Sequence, residues 1–124
     1  MSFPFNFCLR SFRSFMKLIK CIIQPHKLHD VVQALQDLVA GMTVSEVKGI
    51  GRQKGHPIIY RGVEYEQPLL AKVMIDIVAD DNKVDDIVTF VIQTARTGNI
   101  GDGRIFVLPL DETYHVRTGF MEFD

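Results

Sequence analysis

Two glycine-rich segments of this chain carry groups that could bind an anion. The first runs from residue 49 to 55 (GIGRQKG) and the second from residue 98 to 104 (GNIGDGR). Glycines expose backbone N–H groups that can cradle phosphate oxygens. The guanidinium groups of Arg52, Arg104 and Arg117 can each bind phosphate through two parallel hydrogen bonds. Together the segments predict a site for an anionic ligand such as a nucleoside triphosphate, with ordinary surface turns as the alternative.

Neither segment matches a standard phosphate-binding motif. A Walker A loop needs a Lys-Ser/Thr pair after its last glycine, and the dinucleotide motif needs G-x-G-x-x-G. Both spacings are absent from the two segments. The prediction of an anion site therefore rests on residue types and on where the fold brings the two segments, rather than on a motif.

Other candidate residues give weaker signals. His26 and His29 are three residues apart and could share a metal, although a solvated first helical turn explains such a pair better. Cys21 lies in an apolar run and fits a packed core position. No serine has a neighbouring His/Asp pair, so we predict no catalytic residue.

Composition indicates one ordinary globular domain. The chain has 124 residues, of which 47% are hydrophobic and 23% charged, and its net charge is −1. Near-neutral charge gives no reason to expect a nucleic-acid partner. Cys8 and Cys21 form neither a disulfide framework nor a metal-binding spacing, so we expect a reduced, cytoplasmic setting. No apolar run approaches the ~20 residues that cross a bilayer, so direct membrane insertion is not expected.

Residues 1–15 differ from the remainder. They contain five phenylalanines, two arginines and no acidic residue. We expect an N-terminal extension that is disordered or results from an upstream start codon, with Met16 as the true initiator. A transit peptide, or an arm that packs on a neighbouring subunit, is the alternative. Residues 16–124 are expected to form the folded domain.

Hydrophobic periodicity predicts an α+β domain. The predicted elements are a strand at 17–24, a helix at 26–38, strands at 42–49 and 69–78, a helix whose apolar face spans 84–95, a strand at 104–110 and a short final strand at 114–117. This β-α-β-loop-β-α-β order is that of the ferredoxin-like fold, with an antiparallel sheet and both helices on one face. In that topology both glycine-rich segments leave the same end of the sheet.

The first and third predicted strands are apolar on both faces. The helices would cover one face, and a chain of this size has nothing left to cover the other. We therefore predict an oligomer in which sheets pack against sheets. The alternative is that a few exposed apolar residues carry no meaning.

From Met16 to about Gly119 the sequence resembles the PII nitrogen-regulatory signal-transduction proteins. Two runs are highly specific for that family, GRQKGH at 51–56 and RTGNIGDG at 96–103. The other matching runs are KLIKCIIQPHKL, GMTVSEVKG, YRGVEYE, LLAKVMIDIVADD and RIFVLPL.

The resemblance implies a ferredoxin-like homotrimer that binds ATP or ADP in each cleft between subunits. It also implies 2-oxoglutarate bound with Mg²⁺, and a long T-loop between strands 2 and 3 that docks on target proteins. The implied ATP/ADP-binding residues are Thr43, Gly51, Arg52, Gln53, Gly101, Asp102, Gly103, Arg104, His115 and Arg117. The implied 2-oxoglutarate residues are Gln53, Lys54, Gly55 and Lys72, with Gln53 also contacting Mg²⁺. Tyr65 matches the tyrosine that is uridylylated in many proteobacterial members.

Several positions depart from the family pattern. Arg104 stands where lysine is usual, Asn99 replaces a common lysine, and His115 replaces the first arginine of a terminal pair. One residue is missing around Leu38–Gly41, and both arms of the loop are altered, at 57–59 and at 66–68. These changes could alter nucleotide preference and the surface that meets targets.

Three functional hypotheses follow. The first is a non-enzymatic sensor of nitrogen, carbon and energy status that regulates an ammonium transporter or nitrogen-metabolism enzymes and regulators. The second is a PII-like regulator of a bicarbonate or metal transporter with altered ligand preference, against which the retained Gln53 and Lys72 count. The third is a slow ATPase, for which no residue supplies an obvious base. In the first two a cytoplasmic protein could be recruited to a membrane by a transporter.

Overall fold

A computed structural model describes residues 15–50, 58–65 and 69–121, with backbone alone at 58–60 and 63–65. The predicted ferredoxin-like α+β arrangement is confirmed. Its elements, in chain order, are β1 (Met16–Ile23), α1 (Leu28–Leu35), β2 (Thr43–Gly49), β3 (Ile58–Tyr60), β4 (Val63–Tyr65), β5 (Leu70–Asp80), α2 (Val84–Ala95) and β6 (Gly103–Pro109). The main sheet has the order β2-β5-β1-β6, with every neighbouring pair antiparallel.

The core lies between this sheet and the two helices. Alternate residues of the central strands point toward the helices, and in β1 these are Ile19, Cys21 and Ile23, all buried. In each helix the apolar residues recur at spacings of three to four, so they lie on one face of the helix. The buried helical residues are Val31 and Leu35 of α1, and Ile87, Val91 and Ala95 of α2.

The opposite face of the sheet is apolar and uncovered by the described residues. It carries Phe106, Leu108 and Val78, which are exposed, and Leu18, Ile22 and Met74, which are half-buried. We call these six residues the open face. Lys20 and Asp76 pair across β1 and β5 in the middle of it, with Nζ 2.9 Å from Oδ1. In the folded chain, therefore, the central strands β1 and β5 carry apolar side chains on both faces of the sheet.

The segment between β2 and β5 contains a hairpin, where the sequence predicts only a loop. Strands β3 and β4 pair antiparallel, joined by Arg61 and Gly62, whose φ values are 53° and 79°. Positive φ at both central residues is what the type I′ hairpin turn requires, and its twist matches that of the flanking strands. Ile58 pairs with Tyr65 at the base of the hairpin.

Two local predictions were wrong. The first helix is shorter than 26–38, because Pro25–Lys27 forms a 3-10 turn and α1 ends at Leu35. The final strand at 114–117 is a single bridge between Tyr114 and Met121 around a turn. No helix within the described part of the chain is long and apolar enough to cross a membrane.

Candidate functional site

One end of the sheet brings together residues from both glycine-rich segments. Strand β2 ends at Gly49 beside Leu70, and β6 begins at Gly103 beside Ile23. Between them lies a cavity of about 440 Å³. We call it the Lys72–Gly101 corner, and the residues that define it are Gly49, Ile50, Lys72, Gly101, Gly103 and Arg104.

Lys72 is the cation at the centre of this corner. It lies on β5 opposite Val47, is only 9% exposed, and its Nζ donates a hydrogen bond of 2.7 Å to the Gly101 carbonyl. Burial lowers the pKa of Lys72, and the negative charge of Asp102 partly opposes that shift. An ammonium on a largely buried side chain beside an open cavity is suited to pairing with an anion.

Gln24 is a site residue that sequence analysis missed. Its Nε2 donates a hydrogen bond of 2.8 Å to the same Gly101 carbonyl. The sequence gives little indication of this role, because a glutamine between a strand and a proline is common and does not point to a binding site. Only the topology, which brings the end of β1 beside the start of β6, shows what Gln24 contacts.

Asp102 holds its own loop rather than facing the cavity. Its carboxylate accepts hydrogen bonds from the Thr97 hydroxyl, from the Thr97 amide at 2.8 Å and from the Gly98 amide at 2.8 Å. The Thr97 hydroxyl bond, followed by the backbone bonds, lowers the pKa of Asp102. The negative charge is thereby tied into the turn at 97–102, so these contacts give Asp102 a part in building the loop.

Gly103 shows why the second segment needs glycine. Its φ is 122°, and a Cβ there would collide with the carbonyl of Ile22. The loop can lie this close to β1 only without a side chain. Arg104 follows at an exposed position opposite Ile22, on the same side of the sheet as Lys72.

Thr43 and His115 lie in a different corner. Together with Asp76, Asp80 and Lys83 they line a second cavity of about 340 Å³. Asp80 and Lys72 are at opposite ends of β5, eight residues or about 27 Å apart. We call this second place the Thr43–His115 corner. Arg117 lies two residues beyond His115, exposed in a turn.

Among the described residues, a single chain therefore does not bring the predicted nucleotide-binding residues to one place. Lys72, Gly101, Gly103 and Arg104 meet at one end of the sheet, and Thr43 and His115 at the other. The predicted residues Gly51, Arg52, Gln53, Lys54 and Gly55 lie outside the described residues. Tyr65 ends β4, where its backbone pairs with that of Ile58.

The weaker candidates have simple surroundings. Cys21 is fully buried, and burial, with a smaller effect of the Asp76 charge, raises the pKa of its thiol to about 11. Such a thiol stays protonated near neutral pH and is a poor nucleophile. His26 and His29 are both exposed at the start of the first helical segment. Among the described residues, no three potential metal ligands form a group.

Comparison with known proteins identifies the family. The sequence model for "Nitrogen regulatory protein P-II" matches residues 16–120. The chain belongs to the P-II family.

Similar P-II proteins occur in several bacteria. "Nitrogen regulatory protein P-II 1" of Escherichia coli K12 is 53% identical over 105 residues, covering 84% of this chain and 94% of the relative. "Nitrogen regulatory protein P-II" of Klebsiella oxytoca has the same identity and coverage. That of Pasteurella multocida is 50% identical with the same coverage. These names support a role in nitrogen signal transduction for this P-II chain.

Proposed function

We propose that this protein senses nitrogen, carbon and energy status by binding ATP or ADP together with 2-oxoglutarate. It would regulate target proteins through the T-loop, the segment between β2 and β5. In this proposal it acts by binding and not by catalysis. The observation that carries the proposal is the 2.7 Å bond from Lys72 Nζ to the Gly101 carbonyl. It joins the lysine expected to hold the oxo acid to the loop expected to hold phosphates.

The chemistry of the Lys72–Gly101 corner fits these anionic ligands. Lys72 supplies an ammonium that can meet the far carboxylate of a 2-oxo acid, and Arg104 supplies a guanidinium near the phosphate loop. Mg²⁺ would arrive with ATP, where a 2-oxo acid can chelate it through two oxygens. Gln53 is the residue proposed to contact the metal and the oxo acid, with Lys54 and Gly55 beside it.

Coupling between ligand and target follows from chain connectivity. Gly49 and Ile50 line the corner, and Ile50 is the first residue of the T-loop. A ligand that orders the base of this loop changes which conformations its tip can adopt. The tip carries the β3–β4 hairpin, so the hairpin is the proposed target-binding surface.

The separation of the two corners supports a homotrimer. A nucleotide that needs Thr43 and His115 as well as Gly101–Arg104 could contact both groups only if one subunit supplied the Thr43–His115 corner and its neighbour the Lys72–Gly101 corner. The open face offers the apolar surface for such assembly. Lys20 and Asp76 already neutralise each other there, so their burial would not leave an unpaired charge.

Isothermal titration calorimetry tests the proposal. We expect ATP and ADP to bind, and 2-oxoglutarate to bind much more tightly when Mg²⁺ and ATP are present. Lys72→Ala should weaken 2-oxoglutarate binding by roughly 10-fold to 100-fold, because it removes a charged hydrogen-bond donor. Lys17→Ala, a lysine at the opposite end of the sheet, is the control. Absence of nucleotide binding, or an oxo-acid affinity indifferent to ATP, would contradict the proposal.

A second candidate function rests on the departures in the phosphate loop and beyond it. Asn99, Arg104 and His115 change the charge or reach of three expected ligand contacts. This candidate is a PII-like regulator of a bicarbonate or metal transporter with altered nucleotide preference. Pull-down from membrane extracts separates the two. An ammonium transporter captured by the protein favours the first function, and a different transporter favours the second.

Tyr65 is proposed as a uridylylation site. It closes the hairpin whose turn is Arg61–Gly62, in the segment proposed to meet other proteins. Intact-mass measurement of protein from nitrogen-starved cells should show a uridylyl adduct that Tyr65→Phe abolishes.

We further propose a cytoplasmic location, with recruitment to the membrane by a transporter.

A further inference from the structure

The Gly101 carbonyl receives hydrogen bonds from two side chains, one on Gln24 just after β1 and the other on Lys72 of β5. Gln24 Nε2 lies 2.8 Å from it and Lys72 Nζ lies 2.7 Å from it. A carbonyl oxygen has two lone pairs, so both bonds can exist together. The two donors differ in chemistry, because Lys72 is a cation that an anion attracts and Gln24 is a neutral amide.

This difference matters when an acid binds. In the proposed function the Lys72 ammonium, which has three N–H donors, turns toward a ligand carboxylate, and that movement weakens its bond to Gly101. The carbonyl is half-buried, so losing a partner without replacement would disfavour the bound state. Gln24 keeps the carbonyl bonded, and its neutral amide has little reason to follow Lys72 toward the carboxylate.

Gln24 is well anchored for such a role. It follows Ile23, which is buried and pairs with Gly103 on one side and Val73 on the other. Pro25 restricts the preceding residue to extended backbone, and Gln24 has φ −67° and ψ 139°. The loop is thus fixed to the end of β1 at two points, by Gly103 packed against the Ile22 carbonyl and by Gln24 bonded to Gly101.

We propose that Gln24 is a positioning residue that holds the 98–103 loop in place while Lys72 transfers from the Gly101 carbonyl to the carboxylate of 2-oxoglutarate. This inference rests on the proposed function. It predicts that the hydrogen bond from Gln24 to Gly101 contributes more free energy when the oxo acid is bound than when only nucleotide is bound.

The first test compares two affinities on the same preparation. Gln24→Ala should weaken 2-oxoglutarate binding in the presence of ATP and Mg²⁺ by about 5-fold to 10-fold, the effect of one hydrogen bond. ADP binding without oxo acid should change less than about 2-fold, because Lys72 still holds the carbonyl. Gln24→Met, similar in length but neutral and without the donor, should behave like Gln24→Ala. Gln33→Ala, an exposed glutamine on α1, is the control.

A second test needs no oxo acid. ADP affinity is measured for Gln24→Ala, Lys72→Ala and the double variant. We expect the double variant to lose more than the product of the two single effects, because only it leaves Gly101 without either donor. Additive effects would overturn the inference.

The outcomes separate this inference from the proposed function. If the unmodified protein binds 2-oxoglutarate with ATP and Gln24→Ala binds it equally well, the role of Gln24 is wrong and the proposed function stands. If Gln24→Ala weakens ADP and 2-oxoglutarate binding equally, Gln24 has only a structural role and the inference fails. If the unmodified protein binds no oxo acid, the proposed function fails and the transfer role fails with it.

Discussion

Lys72 is the residue on whose charge the proposed site depends most. Burial lowers its pKa, so it loses its proton at a lower pH than an exposed lysine does. Only the protonated form pairs with a carboxylate. The positive charge of Lys72 therefore favours binding of an anionic ligand, but burying that charge costs some folding stability when no ligand is bound.

Binding of 2-oxoglutarate should accordingly weaken as pH rises toward the lowered pKa of Lys72. Calorimetry with ATP and Mg²⁺ from neutral pH up to 10.5, the ordinary pKa of lysine, measures this trend. Lys72→Arg is the matched variant, because a guanidinium stays protonated throughout that range. Its binding should be weaker at neutral pH but lack the decline. Parallel pH profiles for the two proteins would show that Lys72 is not the group responsible.

Asp102 illustrates a residue whose identity suggests one role and whose contacts support another. In a phosphate loop a carboxylate is unexpected, because it repels phosphate. Here it accepts bonds from Thr97 and Gly98, so its charge stabilises the turn that presents the loop. Residue type and spacing cannot reveal this, because the bonds depend on the path of the turn.

Asp102→Ala should loosen that turn. The amides of Thr97 and Gly98 should exchange hydrogen faster, and nucleotide affinity should fall. Because the folded-state pKa of Asp102 is lowered, the carboxylate stabilises the fold above its unfolded pKa, and this contribution disappears as pH falls through the folded pKa. The unfolding temperature of Asp102→Ala should therefore approach that of the unmodified protein in acid. Asp111→Ala, an exposed aspartate outside the turn, is the control, and unchanged exchange at Thr97 would contradict this role.

Among the elements, the β3–β4 hairpin is the one that matters most for output. Its two-residue turn depends on Gly62, whose φ of 79° is unfavourable for any residue with a side chain. The hairpin lies within the segment that connects the Lys72–Gly101 corner to any target.

Gly62→Ala should destabilise the hairpin by about 1 to 2 kcal/mol, the cost of placing a Cβ in left-handed backbone. Cross-strand NMR contacts between Tyr60 and Val63 should weaken, and target binding should weaken with them. The control is Gly41→Ala, because a Cβ at Gly41 meets nothing within 4 Å. Preserved hairpin contacts in Gly62→Ala would mean that the turn does not need its glycine.

The sequence predicts elements better than it predicts contacts. Apolar periodicity is enough to find α2, which buries one face, and short runs rich in β-branched and apolar residues are enough to find β1, β5 and β6. The hairpin escapes this test, since three-residue strands are too short to show a period. The Gln24 contact cannot be predicted in this way because it joins distant chain segments, and the Asp102 bonds cannot because they depend on the path of a local turn.

For the whole molecule, the open face and the divided site lead to the same expectation. Phe106 lies on that face beside Lys20, and a charge there should prevent sheets from packing. By light scattering after size-exclusion chromatography, we expect three times the 14.1 kDa chain mass for the unmodified protein and a smaller species for Phe106→Glu. Phe90→Glu, which changes an exposed phenylalanine on α2, is the control. A monomeric unmodified protein would contradict the assembly.

The central claim is that one ligand site is built from the Lys72–Gly101 corner of one subunit and the Thr43–His115 corner of the next. Mixing two defective proteins tests it most directly. Lys72→Ala damages the first corner and Thr43→Arg obstructs the second, so neither protein alone should bind 2-oxoglutarate normally with ATP and Mg²⁺. After unfolding and refolding together, every mixed trimer contains one cleft in which both corners are intact. We predict that calorimetry then recovers high-affinity binding that the separately refolded proteins lack. If the mixture binds no better than its components, the two corners do not form a shared site.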